Sequence, residues 1–285
     1  MRIKAFITGH ALSFLVLAGN LNGQAIAART PDINTKLMNS TFEIIGPAAT
    51  PSTSTFGTVF LVGKPMRDHP GQSWVVLVTA AHVLDEIVGD TATVMFRKKD
   101  ASGHFLPEPT PIQIRRNGQK LYAKNSNADV AAMFINSPSD SVTELLSLGQ
   151  LTTDEDLDRL AVHPGDELFC LGFPLFVNVN TFPVLRTGTL ASYPITPSKS
   201  VQKYAFAFHV FPGNSGGPVY FSFVNRAYGG FIHGGELDQG VIGLLIEQQS
   251  SIVPAYKDER LDLANVVPSS YIRDTIDLLP EAPAP

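Results

Sequence analysis

One segment, Phe211-Pro212-Gly213-Asn214-Ser215-Gly216-Gly217-Pro218, places a serine among glycines just ahead of an apolar run. A serine hydroxyl is a poor nucleophile until a base removes its proton, and the tetrahedral anion it creates needs donors already aimed at it. Gly213 is free to adopt backbone conformations closed to other residues, so that its N–H and that of Ser215 can point at one spot. The same residues also suit a plain Gly-rich turn leading into a strand. A second segment, Val78-Thr79-Ala80-Ala81-His82-Val83-Leu84, runs from apolar residues through small ones to a histidine, which leaves room for an imidazole at the rim of a cleft. A lone histidine in such a place also serves as a hydrogen-bonded core residue. In a third, Asn127-Ala128-Asp129-Val130-Ala131, an acid opens an apolar strand. It either faces water or accepts the imidazole N–H of His82.

Positioning these three residues calls for strands. In the first half, short runs rich in β-branched and aromatic residues occur at 58–62, 74–78, 91–96, 112–116, 119–123 and 130–135, after an opening strand at 41–45 and an exposed loop at 46–55. Asn117-Gly118 is a strong hairpin signal, because both residues tolerate the positive φ of a type I′ turn. Six short strands separated by turns suggest a small barrel. From 137 to 164 the pattern changes: Ser141 with Glu144 and Thr153 with Asp156 each match a capping box at the head of a short helix. Strand patterns resume at 167–171, 183–191, 204–209, 218–223 and 241–246 and predict a second barrel. Ile272, Ile276 and Leu279 share one helical face, which predicts a closing helix.

The chain has 285 residues, 44% of them hydrophobic, enough for a sizeable core. Its start, Met-Arg-Ile-Lys followed by an apolar run to Gly19 and then Ala25-Ile26-Ala27, reads as a secretory signal peptide cleaved after Ala27. The run is shorter than a membrane span and is interrupted by Thr8, Gly9 and His10, so no integral membrane segment is expected after processing. Loss of Arg2 and Lys4 from 21 basic residues leaves 19 against 26 acidic ones, a net charge of −7. With no basic run of five or more residues, neither nucleic acid nor an anionic membrane surface is an expected partner. Cys170 is the only cysteine and lies in the apolar run Leu168-Phe169-Cys170-Leu171. It reads as a buried thiol, so the exported chain must be held by packing without an internal disulfide. His69, His104, His163 and His233 show no metal-site spacing, and no metal or other cofactor is expected.

Taken together in the order His, Asp, Ser, the three segments resemble the signature regions of the chymotrypsin-like (trypsin-like) serine peptidases. The nearest flavour is the disulfide-free bacterial kind, similar to glutamyl endopeptidases and the protease domains of HtrA proteins. Gly57-Thr58-Val59-Phe60, Gly172-Phe173-Pro174, Arg186-Thr187-Gly188-Thr189-Leu190 and Val241-Ile242-Gly243-Leu244 support the resemblance, which spans roughly 41–276. It implies an all-β fold of two six-stranded antiparallel β-barrels with a C-terminal α-helix. It also implies Ser215 as nucleophile, His82 as general base then acid, Asp129 as the residue that holds the imidazole tautomer, and an oxyanion hole from the N–H groups of Gly213 and Ser215. The expected divisions are a signal peptide (1–27), an N-terminal barrel with the His and Asp (28–136), a connection (137–164), a C-terminal barrel with the closing helix and the Ser (165–279), and a tail (280–285).

The resemblance has gaps. Many members switch on when a new N-terminal ammonium pairs with an Asp just before the nucleophile; here that position is the neutral Asn214, so signal removal alone is expected to suffice. His209 stands where the floor of the S1 pocket is expected, either greeting an acidic side chain when protonated or acting as a structural histidine. Val210, Leu245 and Ile246 complete the expected substrate-binding set. Where glutamyl endopeptidases carry a His and glycines, this chain has Leu245, Glu247 and Gln248, which weakens any case for Glu preference. The expected activity is that of a secreted (periplasmic or extracellular) serine endopeptidase acting on polypeptides through an acyl-enzyme. The alternatives are a non-catalytic binding module on the same fold and a non-peptide acyl hydrolase. The latter needs the order Ser, Asp, His on an α/β sheet, and neither is present here.

Overall fold

The computed structural model describes residues 32–175, 181–250 and 260–283. The stretch read above as a signal peptide, 1–27, lies outside them, as do the last two residues of the tail. Pro31–Pro285 form one unit.

Its first half is a sheet. Helix α1 (Ile33–Ser40) is capped by Asp32, whose side chain accepts from the Asn34 N–H, and leads into β1 (Thr41–Pro47) and β2 (Ser54–Pro65). Then come β3 (Ser73–Thr79), α2 (Ala81–Glu86), β4 (Thr91–Lys99), β5 (Phe105–Gln113), β6 (Arg115–Arg116), β7 (Gln119–Lys120), β8 (Ala123–Lys124), β9 (Ala131–Phe134) and β10 (Leu146–Ser147). The strand order is β5-β4-β1-β2-β3-β9-β8, with β10 added alongside β2. Two of these eight strands, β8 and β10, are only two residues long, so six longer ones carry the sheet. From Gly57 to Gly63, β2 is buried on both faces. Asn117 and Gly118 have φ of 52° and 78°, as the hairpin signal predicts, but the arms β6 and β7 form a two-stranded sheet of their own.

After helix α3 (Asp154–Arg159), the strands β11 (Glu167–Gly172), β12 (Val184–Leu190), β13 (Tyr204–Ala207), β14 (Pro218–Tyr228), β15 (Phe231–Ser250) and β16 (Arg260–Pro268) close a barrel in the order β11-β12-β13-β16-β15-β14. A one-turn helix, α4 (Ser198–Val201), precedes β13, and α5 (Ser269–Asp277) ends the architecture. Two β units in tandem with a C-terminal helix are what the motifs implied. Of the two expected capping boxes, Thr153 with Asp156 opens α3. Ser141 does not open a helix: it bridges to Lys98, and Val142 N–H donates to the Arg97 carbonyl (2.7 Å), so pairing with the end of β4 wins over the local cap.

The two β units share apolar packing. Phe42, Phe60 and Val78 of the first sheet belong to one cluster with Leu171, Tyr220 and Leu244 of the barrel and with Ile272, Ile276 and Leu279 of the closing helix region. Each fully buried aliphatic side chain there contributes about 1.5–3 kcal/mol. Lys64 of β2 donates to the carbonyls of Ile276 (3.2 Å) and Leu279 (2.9 Å), satisfying acceptors that the end of α5 leaves open. A separate cluster, with Phe206, Val219 and Leu245, fills the barrel. Among the described residues no helix is long and apolar enough to cross a membrane.

Candidate active site

β3 is buried from Val76 to Thr79, and the chain then turns through Ala80 into the short helix α2, whose second residue is His82. Ala80 and Ala81 are 0% exposed, so larger side chains there would have no space. Asp129 lies in the loop between β8 and β9, and β9 pairs with β3, which brings the acid to the histidine. Its two oxygens grip His82 twice: Oδ1 accepts from the backbone N–H (2.9 Å), and Oδ2 faces Nδ1 at 2.5 Å. An ionised carboxylate only accepts, so Nδ1 carries the proton and Nε2 is left as the basic nitrogen. Among the described residues Nε2 has no partner. The two side chains are 34% and 30% exposed, open enough to exchange protons.

The electrostatics follow from this grip. Burial lowers the His82 pKa, but the hydrogen bond and charge of Asp129, helped by Glu86 and Glu247, outweigh it and hold the imidazole above its usual 6.5. Burial likewise raises Asp129, and the His82 ring and N–H overcome that and hold the carboxyl below 3.8. Arg115, which the sequence did not single out, steadies the helix from its far end. Its guanidinium donates to the carbonyls of Leu84 (2.6 Å), Ile87 (2.7 Å) and Gly89 (2.8 Å).

Ser215 sits in the turn before β14. Two glycines make that turn possible. Gly213 has φ +94°, and a Cβ on it would lie 2.1 Å from the Phe173 carbonyl oxygen; Gly216 has φ +88°, and a Cβ there would lie 2.1 Å from Thr58 O and 2.2 Å from Thr79 Oγ1. The serine turn is thus pressed directly onto the first sheet, against Thr58 of β2 and against Thr79 at the end of β3, three residues before His82. Thr58 N–H donates to the Ser215 carbonyl (2.8 Å), and Gly216 N–H to the Leu245 carbonyl (2.7 Å). The N–H groups of Gly213 and Ser215 find no acceptor among the described residues. Ser215 Oγ donates to the Ile246 carbonyl (2.9 Å) and makes no hydrogen bond to His82.

Around this centre the remaining expected residues divide. Ile246, on β15, meets the serine with its main chain, while its side chain is buried. Val210 and Leu245 pack into the barrel's own core cluster. His209 turns to Asp262 on β16 through Nδ1, while its carbonyl accepts from Arg186 (2.8 Å). The Arg186 guanidinium lies over the rings of Phe208 (4.4 Å) and Phe211 (5.0 Å). Asp262 went unnoticed in the sequence because only the pairing of β16 with β13 brings it beside His209. Asn214 is 2% exposed, and its Nδ2 has no acceptor among the described residues. Also among the described residues, no three His, Cys, Asp or Glu side chains cluster as a metal site would require.

No protein-family model matches the chain, and no curated protein matches it. Among solved structures, similar ones include a serine endoprotease from Yersinia pestis at 11% identity and a TM-score of 0.47, covering 85% of this chain and 63% of that one. The active form of the Rv3671c protease from M. tuberculosis is similar at 16% identity and a TM-score of 0.46, with 87% and 83% covered. The chain therefore spans less than two thirds of the first of these proteins.

Proposed function

We propose that the chain is a serine endopeptidase that hydrolyses peptide bonds through an acyl-enzyme, acting in the periplasm or outside the cell after removal of residues 1–27. The observation that carries this reading is the double grip of Asp129 on His82, which leaves Nε2 basic and unpartnered beside a serine turn with two open N–H groups. In the proposed cycle, Ser215 Oγ leaves the Ile246 carbonyl by a rotamer change of about 120° and meets Nε2. As Oγ bonds to the scissile carbonyl carbon, its proton passes to Nε2. The C=O electron pair moves to oxygen, where the N–H groups of Gly213 and Ser215 receive it. Asp129 stays ionised and stabilises the imidazolium. That imidazolium then protonates the leaving amine as the C–N bond breaks, and water repeats the sequence to release the acid. Val210, Ile246 and His209 with its partners Asp262 and Arg186 are the proposed neighbours of the substrate's P1 side chain, with Leu245 supporting them from the core.

One observation favours the alternative of a non-catalytic binding module: the resting serine is bonded to a carbonyl and not to the imidazole. The two readings separate on labelling of the protein lacking residues 1–27 with a fluorophosphonate, followed by casein cleavage in wild type and Ser215→Ala. Wild type is expected to label at Ser215 and to cleave, and the variant to lose about 10⁴-fold or more in turnover. An unlabelled, inert wild type would leave the binding module standing.

A further inference from the structure

Thr58 is fully buried in the first sheet and touches no solvent, yet its N–H and its hydroxyl reach the serine turn and the segment behind it. Its N–H donates to the Ser215 carbonyl (2.8 Å), and its hydroxyl donates to the Gly213 carbonyl (2.7 Å). The same hydroxyl accepts from the Phe173 N–H (3.2 Å), and Thr79 Oγ1 donates to the Thr58 carbonyl (2.7 Å). Two residues beyond Phe173, the Leu175 N–H donates to the Pro212 carbonyl (3.0 Å). In the trans peptide Pro212–Gly213 the N–H points opposite to the C=O, so that bond alone aims the Gly213 N–H away from Leu175. The following peptide is held by its carbonyl on Thr58 and by the Asn214 N–H on the Phe211 carbonyl (3.1 Å). Both peptides that flank the Gly213 Cα are thereby pinned, and a single hydroxyl joins the turn to the segment that pins it.

We propose that Thr58 is the positioning residue of the oxyanion hole, its hydroxyl bridging the Gly213 carbonyl and the Phe173 N–H so that the Gly213 N–H faces the substrate oxygen before substrate arrives. This rests on the endopeptidase reading. Removing the hydroxyl leaves a buried carbonyl and a buried N–H without partners, and the turn regains them by rotating the peptides around Gly213. Thr58→Val keeps the shape and removes both bonds. Deleting an oxyanion donor outright costs about 10²–10³ in kcat, so misaiming one is expected to lower kcat by about 10- to 100-fold. KM is expected to stay within about twofold, because ground-state binding is untouched.

The measurement is kcat and KM on a peptide amide, normalised to sites titrated by fluorophosphonate, with the pH profile of kcat/KM. Thr58→Ser is expected to restore kcat to within about threefold of wild type, and the acid limb of the profile to stay in place, since His82 and Asp129 are not touched. A wild-type kcat per titrated site in Thr58→Val overturns the inference and leaves the endopeptidase reading standing. A loss confined to KM, or one that Thr58→Ser does not restore, overturns it in the same way. If Thr58→Val shows no cooperative unfolding, Thr58→Cys replaces it: a thiol stands where the serine hydroxyl would, is somewhat larger and donates weakly, and a kcat equal to that of Thr58→Ser refutes the bridge. A wild type that neither labels nor cleaves removes both readings together.

Discussion

Replacing Asp129 by asparagine changes almost no volume, but it halves the number of acceptors facing His82. The carboxylate now accepts at both oxygens, from the His82 N–H at 2.9 Å and from Nδ1 at 2.5 Å. An amide has one oxygen. With that oxygen on the backbone N–H, its NH₂ group faces Nδ1, which must then be the unprotonated nitrogen. The proton moves to Nε2, the atom that receives the Ser215 proton in the proposed cycle. With the amide reversed, NH₂ opposes the His82 N–H, donor against donor, which the fixed α2 backbone cannot relieve. Either way the neutral imidazole is in the wrong tautomer or out of place, and the imidazolium loses its counter-charge. The expected fall in kcat is about 10⁴-fold, or roughly 5–6 kcal/mol of transition-state stabilisation. The assay is hydrolysis of a peptide amide at pH 7–8, normalised to folded protein, with thermal unfolding as a control. Asp129→Asn retaining a tenth or more of wild-type kcat would show that Asp129 does not set the tautomer.

Other expectations rest on the same geometry. Because His82 is held above 6.5, the acid limb of kcat/KM is expected above pH 6.5 and is expected to move down in Asp129→Asn, where burial, the largest influence, is opposed only by the charges of Glu86 and Glu247; a limb that stays in place contradicts this. For stability, the raised His82 contributes fully below 6.5 and loses that contribution as pH rises through its folded value. The lowered Asp129 contributes above 3.8 and loses it as pH falls, so the pair stabilises most between about 3.8 and 6.5. Denaturant midpoints across pH for wild type and His82→Ala would reveal that window. Gly213→Ala puts a Cβ 2.1 Å from the Phe173 oxygen at φ +94° and is expected to cost about 1–3 kcal/mol in strain while abolishing turnover; a stable, active variant counts against the turn geometry. Burial pushes the Cys170 thiol up to about 12, so iodoacetamide is expected to add mass only after denaturation, and rapid native labelling would contradict its placement.

Much of the candidate site was legible because its parts are local. The glycines at 213 and 216, the small residues before His82 and the Asn117-Gly118 hairpin are each dictated by backbone conformation within a few residues. What escaped depends on partners far along the chain. The first seven residues of β5 lie outside the expected strand at 112–116, and Pro107, Pro109 and Pro111 give them no ordinary strand pattern. The prolines alternate, pair with Arg97, Met95 and Thr93, and lie on an edge strand, so every proline nitrogen falls where β4 requires no donor. β16 lacks a strong pattern of its own and becomes a strand only between β13 and β15. Thr58 stood within a motif that supported the resemblance, but its bridging hydroxyl is visible only when Gly213 and Phe173 are brought to it.

The closing helix has a bearing on the order of events during synthesis. Strands β1 to β9 carry His82 and Asp129, yet the interior beneath them is completed by Ile272, Ile276 and Leu279, and Lys64 finds its acceptors only at the end of α5. A nascent chain that has already emerged with its histidine and aspartate still has an unfinished floor under both. Packing of the first half is thus completed by the final turns of the polypeptide, and the proposed hydrolytic competence is expected only in a chain translated through α5.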